Sequence, residues 1–378
     1  MDLQRKLDAI QAKGQLRQLR EVEAVDGKWL TVQGRRFLNF TSNDYLGLGQ
    51  MTHADGMSEK GQKHLASSRL VSGNSALYTK IERLLSTHFH FEDALVTTSG
   101  YDANLAVMQA FQDETVVVFS DEANHASIID GIRLSRLKKV IYPHNDVVAL
   151  EKALLQYPET LTKVIVTDSV FSTDGAFAKL DALVQLKAKI PNIWLVVDDA
   201  HAFGLRLHTH YSNIDILTTS LSKGVGAHGG AILCSALFKQ VLINVARPVI
   251  YSNALPQLQL AQLYENLKII LAQPEKAHVL HQLSDTFNQL YERDFGVPYE
   301  GHSRTPIKWI SFDDDHEIEC VYQALLAQGI WVSYFRYPTV TRPILRVSLS
   351  LFHDAHDLEY LFEQLLLAVV RGCNDVQC

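Results

Sequence analysis

Long apolar runs are missing from this chain. No stretch of about 18 apolar residues, the length that crosses a bilayer, occurs in its 378 residues. Glycine (20) and proline (10) are modest in number, which excludes collagen-like and low-complexity sequence. A basic excess is also missing. The 35 Lys and Arg face 42 Asp and Glu, leaving a net charge of −7, against the basic face that general nucleic-acid binding needs. Cysteine is scarce: Cys234, Cys320, Cys373 and Cys378 fall at no metal-ligand spacing. They read as the reduced thiols of a cytoplasmic protein rather than a disulfide scaffold. The sixteen histidines form no His-Glu-x-x-His pattern and no tight Cys/His cluster, which argues against zinc. The opening residues MDLQRKLDAIQAKGQLRQLR are amphipathic and charged without an apolar core, so no secretory signal is expected. A Walker phosphate loop, G-x-x-x-x-G-K-[ST], is absent too.

What is present is a 47% hydrophobic composition, too apolar for disorder, and a length that predicts two or three units. A helix opens the chain. Two short strands, Lys28 to Gln33 and Arg36 to Phe40, follow across a turn at Gly34. From residue 93 short apolar runs alternate with amphipathic stretches. Ala94–Thr98, Thr115–Phe119, Val140–Tyr142, Val164–Asp168, Ile193–Asp198, Ile214–Thr218 and Ala231–Cys234 read as strands, with helices such as Tyr101–Phe111, Ser127–Arg136 and Lys179–Lys189 between them. Near-continuous apolar strands alternating with helices predict an α/β fold with a mostly parallel, doubly covered sheet. After 254 the alternation stops. Long helices over Leu255–Leu271 and Glu275–Arg293 lead to strands at Ile307–Phe312 and Leu345–Leu349 and helices at Glu317–Gln328 and Asp354–Val370, a smaller α+β unit. The expected division is 1–45, an N-terminal helix and strand segment; 46–270, the large domain; and 271–378, the C-terminal domain.

In open parallel sheets ligands sit beyond the carboxyl ends of the strands, so the polar residues there carry the chemistry. Ser99-Gly100-Tyr101 follows the first strand. A glycine at a strand-to-helix turn lets backbone N–H groups converge on an anion, although ordinary turns share the pattern. Asp198-Asp199-Ala200-His201 follows the IWLVV run. Asp198 continues the apolar stretch and predicts a protected carboxylate that needs a cationic partner, such as a protonated pyridine nitrogen; a helix-capping Asp is the plain alternative. Thr218 to Gly226 holds Lys223 among hydroxyls and glycines, compatible with a surface charge or with a Schiff-base lysine. Ser220 and Ser222, three and one residues before it, suit a phosphate. His125, between the TVVVF strand and a helix, could stack on a flat ring or be a simple loop residue. Each signal is weak alone. Anion turn, buried Asp, His at i+3 and Lys 25 residues after Asp198 together follow the order expected of a pyridoxal-phosphate enzyme of the aspartate-aminotransferase fold.

The chain resembles the α-oxoamine synthases over nearly its whole length. The resemblance is carried by Phe40-Thr41-Ser42-Asn43-Asp44-Tyr45-Leu46-Gly47-Leu48, Arg69-Leu70-Val71-Ser72-Gly73-Asn74, Thr98 to Tyr101, His125-Ala126-Ser127, His144-Asn145-Asp146-Val147, Val170 to Gly175, Asp198 to His201, Ser222-Lys223-Gly224, Tyr251-Ser252, Pro338-Thr339-Val340 and Leu345 to Leu349. It implies fold type I of the enzymes dependent on pyridoxal 5'-phosphate and a decarboxylating C-acyltransferase. Lys223 would bond the cofactor covalently. Asp198 would pair with the ring nitrogen, His201 with the ring hydroxyl oxygen near Ser172, and His125 would stack on the ring. Ser99, Gly100, Tyr101, Ser220 and Ser222 would surround the phosphate. Asp168 would stand near the cofactor, and Ser252 would reach the neighbouring subunit's phosphate in a homodimer. Asn43, Thr339 and Arg346 would receive substrate, the guanidinium forking onto a carboxylate. The wording is nearest to the branch that joins L-alanine to a pimeloyl thioester. Sister reactions using glycine, a cofactor-free subunit and a plain transaminase stay open. No metal, nucleic acid or membrane is expected as a partner. The chain departs from the family at His64-Leu65-Ala66-Ser67-Ser68, where a Gly-rich run is usual, and at Ala202-Phe203-Gly204 with a short segment before Lys223.

Overall fold

A computed structural model describes residues 2–13, 15–51, 66–208, 211–301, 304–337 and 339–371. Cys373, Cys378, His64, Leu65 and Pro338, named above, lie outside them. The opening helix is Leu3–Ala12, capped by the Asp2 carboxylate on Arg5 N. Strands β1 (Ala24–Asp26), β2 (Trp29–Val32) and β3 (Arg35–Asn39) form an antiparallel meander. Gln33 and Gly34, both at positive φ, make the two-residue turn whose twist matches a hairpin.

The central sheet contains β4 (Asp93–Thr97), β5 (Val116–Asp121), β6 (Lys138–Tyr142), β7 (Thr162–Asp168), β8 (Ile193–Asp198), β9 (Ile216–Ser220) and β10 (Gly230–Cys234). Their spatial order is β4-β10-β9-β8-β7-β5-β6. β10 runs antiparallel to both its neighbours and the remaining pairs are parallel. β5 and β10 are buried along their whole length, which is why they read as unbroken apolar runs. Alternate residues feed two cores. Val116, Val118, Val164, Val166, Val196 and Ile216 pack on one face, while Val117, Phe119, Ile165, Leu195, Val197 and Leu217 belong to the other.

The third sheet contains β11 (Ile307–Ser311), β13 (Ser333–Phe335) and β14 (Ile344–Ser348), with β14 in the middle and both pairings antiparallel. β12 (Ile330–Trp331) instead joins β3 in parallel, and Ser348 N donates to Phe40 O at 2.8 Å. The N-terminal meander is thus held against the C-terminal sheet. Helices Gln257–Ala272 and Glu275–Phe295 lead into this end of the molecule, and Asp315–Ala327 and Ala355–Arg371 pack on each other there.

The strands expected from the sequence form within a few residues of their expected bounds. The strand read at Ile214–Thr218 starts two residues later, because Ile214 closes a turn on Tyr211 O and the Asp215 carboxylate accepts from Leu195 N at 2.7 Å. Helices Ala76–Phe89, Val147–Leu154 and Ala236–Val245 were not read from the sequence. No described helix is long and apolar enough to cross a membrane. Cys234 is buried and free.

One glycine is fixed by the close approach of two backbones. Gly226 has φ +65°, and a Cβ there would lie 2.2 Å from Gly49 N. Both the backbone conformation and the contact oppose any side chain. Gly226→Ala is expected to cost about 2–5 kcal/mol of stability, measured as a lower urea midpoint at unchanged slope. An unaltered midpoint contradicts this packing.

Candidate active site

The carboxyl ends of the parallel strands bring the expected polar groups together. Asp168 ends β7 and Asp198 ends β8, and the two are register partners on adjacent strands. Both are buried. Asp198 Oδ1 accepts from Ala200 N (3.0 Å) and Oδ2 from Asn104 Nδ2 (2.6 Å). Asp168 Oδ2 accepts from His125 N at 2.9 Å, and burial beside the Asp198 charge holds its carboxyl well above the usual range. Lys223 lies in the turn after β9. Burial pushes its amine down to about 8, although the carboxylates of Asp198 and Asp168 pull the other way.

That shift fixes a pH dependence. The unfolded amine titrates near 10.5. Below about 8 both states are protonated and the cost of burying the charge applies in full. Between about 8 and 10.5 the unfolded chain binds the extra proton, so this group's contribution makes stability rise with pH. Urea denaturation of the cofactor-free protein across this window is expected to show a rise that Lys223→Met lacks. Equal pH slopes for the two proteins refute the assignment.

His125 caps helix Ala126–Leu134 through its ring nitrogen, with Nδ1 3.3 Å from Ser127 N and 2.8 Å from Ser127 Oγ. Burial and the nearby Lys223 lower its pKa, while Asp198 raises it. His201 is buried. Burial first, then the charges of Lys223 and Arg346, hold it well below the usual histidine range, so it is neutral. Its Nδ1 lies 2.7 Å from the Tyr45 hydroxyl, and burial pushes that hydroxyl up to about 12.

From Tyr45 the network reaches the far end of the chain. Arg346 on β14 is 7% exposed. It donates to Asn43 Oδ1 at 2.7 Å and to the Tyr45 hydroxyl at 3.5 Å, while its Nε is buried with no hydrogen-bond partner among the described residues. A guanidinium with one N–H unpaired is a seat for a carboxylate.

At the opposite side Ser99 caps helix Gly100–Ala110, accepting from Asp102 N at 3.0 Å. A Cβ on Gly100 would lie 2.8 Å from Ser220 Cβ, so the helix start sits directly against the end of β9. The Ser220 and Ser222 hydroxyls are 2.8 Å apart and open to solvent. The first N–H groups of a helix, beside two hydroxyls, form an anion seat. Tyr101 turns its side chain outward, its hydroxyl on Asp130, with its ring 6.5 Å from that of His125.

Among the described residues, three expected residues are not joined to this cluster: Ser252 donates to its neighbour Asn253 O (3.4 Å), Thr339 is exposed in the loop before β14, and Ser172 lies in the turn after Phe171. Conversely, Asn104 and Tyr45 were not singled out as site residues. A polar residue on the apolar face of its helix, among Ala103, Ala106 and Val107, was the available signal for Asn104.

A half-buried lysine amine near two buried carboxylates, a helix start with paired hydroxyls, and a guanidinium whose Nε has no partner among the described residues fit pyridoxal phosphate and an amino-acid carboxylate. The comparisons support the cofactor. The model of the class I and II aminotransferase family matches residues 35–365. The 8-amino-7-oxononanoate synthase of Lysinibacillus sphaericus is 33% identical, with 96% of each chain covered. Among solved structures, the 8-amino-7-oxononanoate synthase of Francisella tularensis superposes with a TM-score of 0.73 at 27% identity, covering 89% of this chain and 98% of that one. A serine palmitoyltransferase of Sphingomonas wittichii superposes with a TM-score of 0.88 at 24% identity, covering 98% and 96%, a likeness of fold alone. This chain belongs to the class I and II aminotransferase family and, within it, to the α-oxoamine synthases, acyltransferases that depend on pyridoxal phosphate.

Proposed function

We propose that the protein is an 8-amino-7-oxononanoate synthase. It condenses L-alanine with a pimeloyl thioester, carried by coenzyme A or an acyl-carrier protein, and releases CO₂, the free thiol and 8-amino-7-oxononanoate. The observation that carries the substrate half of this reading is the unpartnered Nε of buried Arg346 beside Asn43. The setting we propose is a cytoplasmic homodimer in which Ser252 reaches the partner's phosphate site.

Pyridoxal phosphate, when bound, supplies an aldehyde for Lys223 and an electron sink for the substrate's Cα. Ser99, the Gly100 and Tyr101 backbone, Ser220 and Ser222 would hold its phosphate. Asp198, fixed in place by Ala200 N and Asn104, would hold a proton on the ring nitrogen. His201, neutral and held by Tyr45, would serve the ring oxygen, and Asp168 secures the backbone of His125. Arg346 and Asn43 hold the alanine carboxylate until it leaves as CO₂, with Thr339 at the acyl end. With the cofactor bound, Lys223 Nζ would take the substrate's Cα proton. Its lowered basicity makes it a competent base near neutral pH.

Mass spectrometry of the product from alanine and pimeloyl-coenzyme A, with glycine and serine as competing amino acids, tests the reading. A product formed from glycine or serine but not alanine overturns it. Arg346→Lys keeps the charge and loses the fork. It is expected to raise the KM for alanine about tenfold or more with a smaller change in kcat, read from initial rates. An unchanged KM removes Arg346 from the carboxylate site.

A further inference from the structure

We propose that Asn104 and Ser127 are positioning residues that fix His125 as the neutral tautomer bearing its proton on Nε2, and that tie this ring to the Asp198 carboxylate. The proposal rests on the reading of His125 and Asp198 as cofactor residues and adds how the chain prepares them.

The direction of every hydrogen bond in the chain of groups follows from one fact. Asp198 Oδ2, as a carboxylate oxygen, can only accept, so the Asn104 atom 2.6 Å from it is the amide nitrogen. The amide oxygen then points to Thr218 and accepts from its hydroxyl at 2.7 Å. The second hydrogen of Asn104 Nδ2 goes to Ser127 Oγ at 2.8 Å. With its oxygen accepting there, Ser127 has its own hydrogen free, and the group within reach is His125 Nδ1 at 2.8 Å. The backbone N–H of Ser127 also points at Nδ1, at 3.3 Å. Two donors converge on that nitrogen, so it carries no proton, and the proton of the neutral ring sits on Nε2.

Asn104, Ser127, Thr218 and Asp198 are all buried, which leaves water little opportunity to reverse any link. The groups that face His125 come from several elements: Asp198 at the end of β8, His201 just after it, Asp168 at the end of β7, Lys223 after β9, and Tyr101 on helix Gly100–Ala110. Asp198 favours an imidazolium and Lys223 opposes it. The network acts in the second direction. A proton added at Nδ1 would meet the Ser127 N–H head-on and turn the Ser127 hydroxyl away. His125 therefore presents an N–H donor, and no positive charge, to whatever lies on its Nε2 side.

The test uses full-length protein loaded with pyridoxal phosphate and labelled with ¹⁵N-histidine. The His125 ring signals are assigned by their loss in His125→Asn. Wild type at neutral pH is expected to show Nε2 protonated and Nδ1 bare. Ser127→Ala removes one donor to the neutral ring, so the His125 pKa is expected to rise by about one unit, the scale of one hydrogen bond. Asn104→Ala is expected to shift it the same way by freeing the Ser127 hydroxyl to turn. Ser127→Thr, which keeps the hydroxyl, is expected to retain the wild-type value. Because Asn104→Ala also strips a bond from buried Asp198 and could fail to fold, Ser127→Ala is decisive alone. Nδ1 protonated in wild type overturns the proposal, as does a folded Ser127→Ala protein with unaltered His125 nitrogens. Product analysis with alanine and pimeloyl-coenzyme A is run in parallel. Its failure would reject the proposed reaction and leave the nitrogen measurement intact.

Discussion

Lys223→Ala is expected to lower kcat by at least about a thousandfold, the largest effect of any single substitution in the chain. The amine is asked to do two things in sequence, to hold the cofactor and to move the Cα proton, and nothing described beside it can replace either. The other basic groups near it are His125, whose Nδ1 is occupied by Ser127, and His201, buried and turned toward Tyr45. The guanidinium of Arg346 offers donors and no acceptor. Borohydride reduction followed by peptide mass spectrometry should place the cofactor on Lys223 in wild type and on no residue of the variant. Turnover within tenfold of wild type would remove Lys223 from the mechanism. Removing the ammonium also relieves a buried charge, so the variant should fold at least as well as wild type below about pH 8, which separates lost chemistry from lost structure.

The second large effect is at Asp198. Asp198→Asn preserves size and can still accept from Ala200 N, but it removes the negative charge that keeps a proton on the ring nitrogen. A preorganised charge of this kind in a dry site is worth on the order of a hundred- to a thousandfold in rate, and kcat is expected to fall by that factor with the cofactor still bound. The loss propagates. Asp198 is the group that raises the His125 pKa and it adds to the elevation of Asp168, so the variant should show His125 neutral to lower pH and Asp168 ionised more readily. Initial rates together with absorbance of the bound cofactor against pH measure both. Wild-type kcat in Asp198→Asn contradicts the pairing.

The sequence determined the parts that depend on neighbours along the chain. Period-two burial and unbroken apolar runs marked the seven strands of the central sheet. Polar residues at their carboxyl ends (Ser99, His125, Asp168, Asp198 and Lys223) were legible because a strand end is a local event, and a parallel sheet gathers such ends on one edge. The Gln33-Gly34 hairpin was legible for the same reason. The tertiary structure alone decided the meeting of Asn43, Tyr45, His201 and Arg346, whose partners lie some 150 to 300 residues apart. Periodicity says which face of an element is apolar but not which other element will cover it, so the seating of the N-terminal meander on β12 and of Phe40 on Ser348 was out of reach. The same holds for the antiparallel placement of β10 and for Asn104, whose polarity was visible in the sequence while its partners on β8, β9 and helix Ala126–Leu134 were fixed only by how three layers of the fold close on one buried carboxylate.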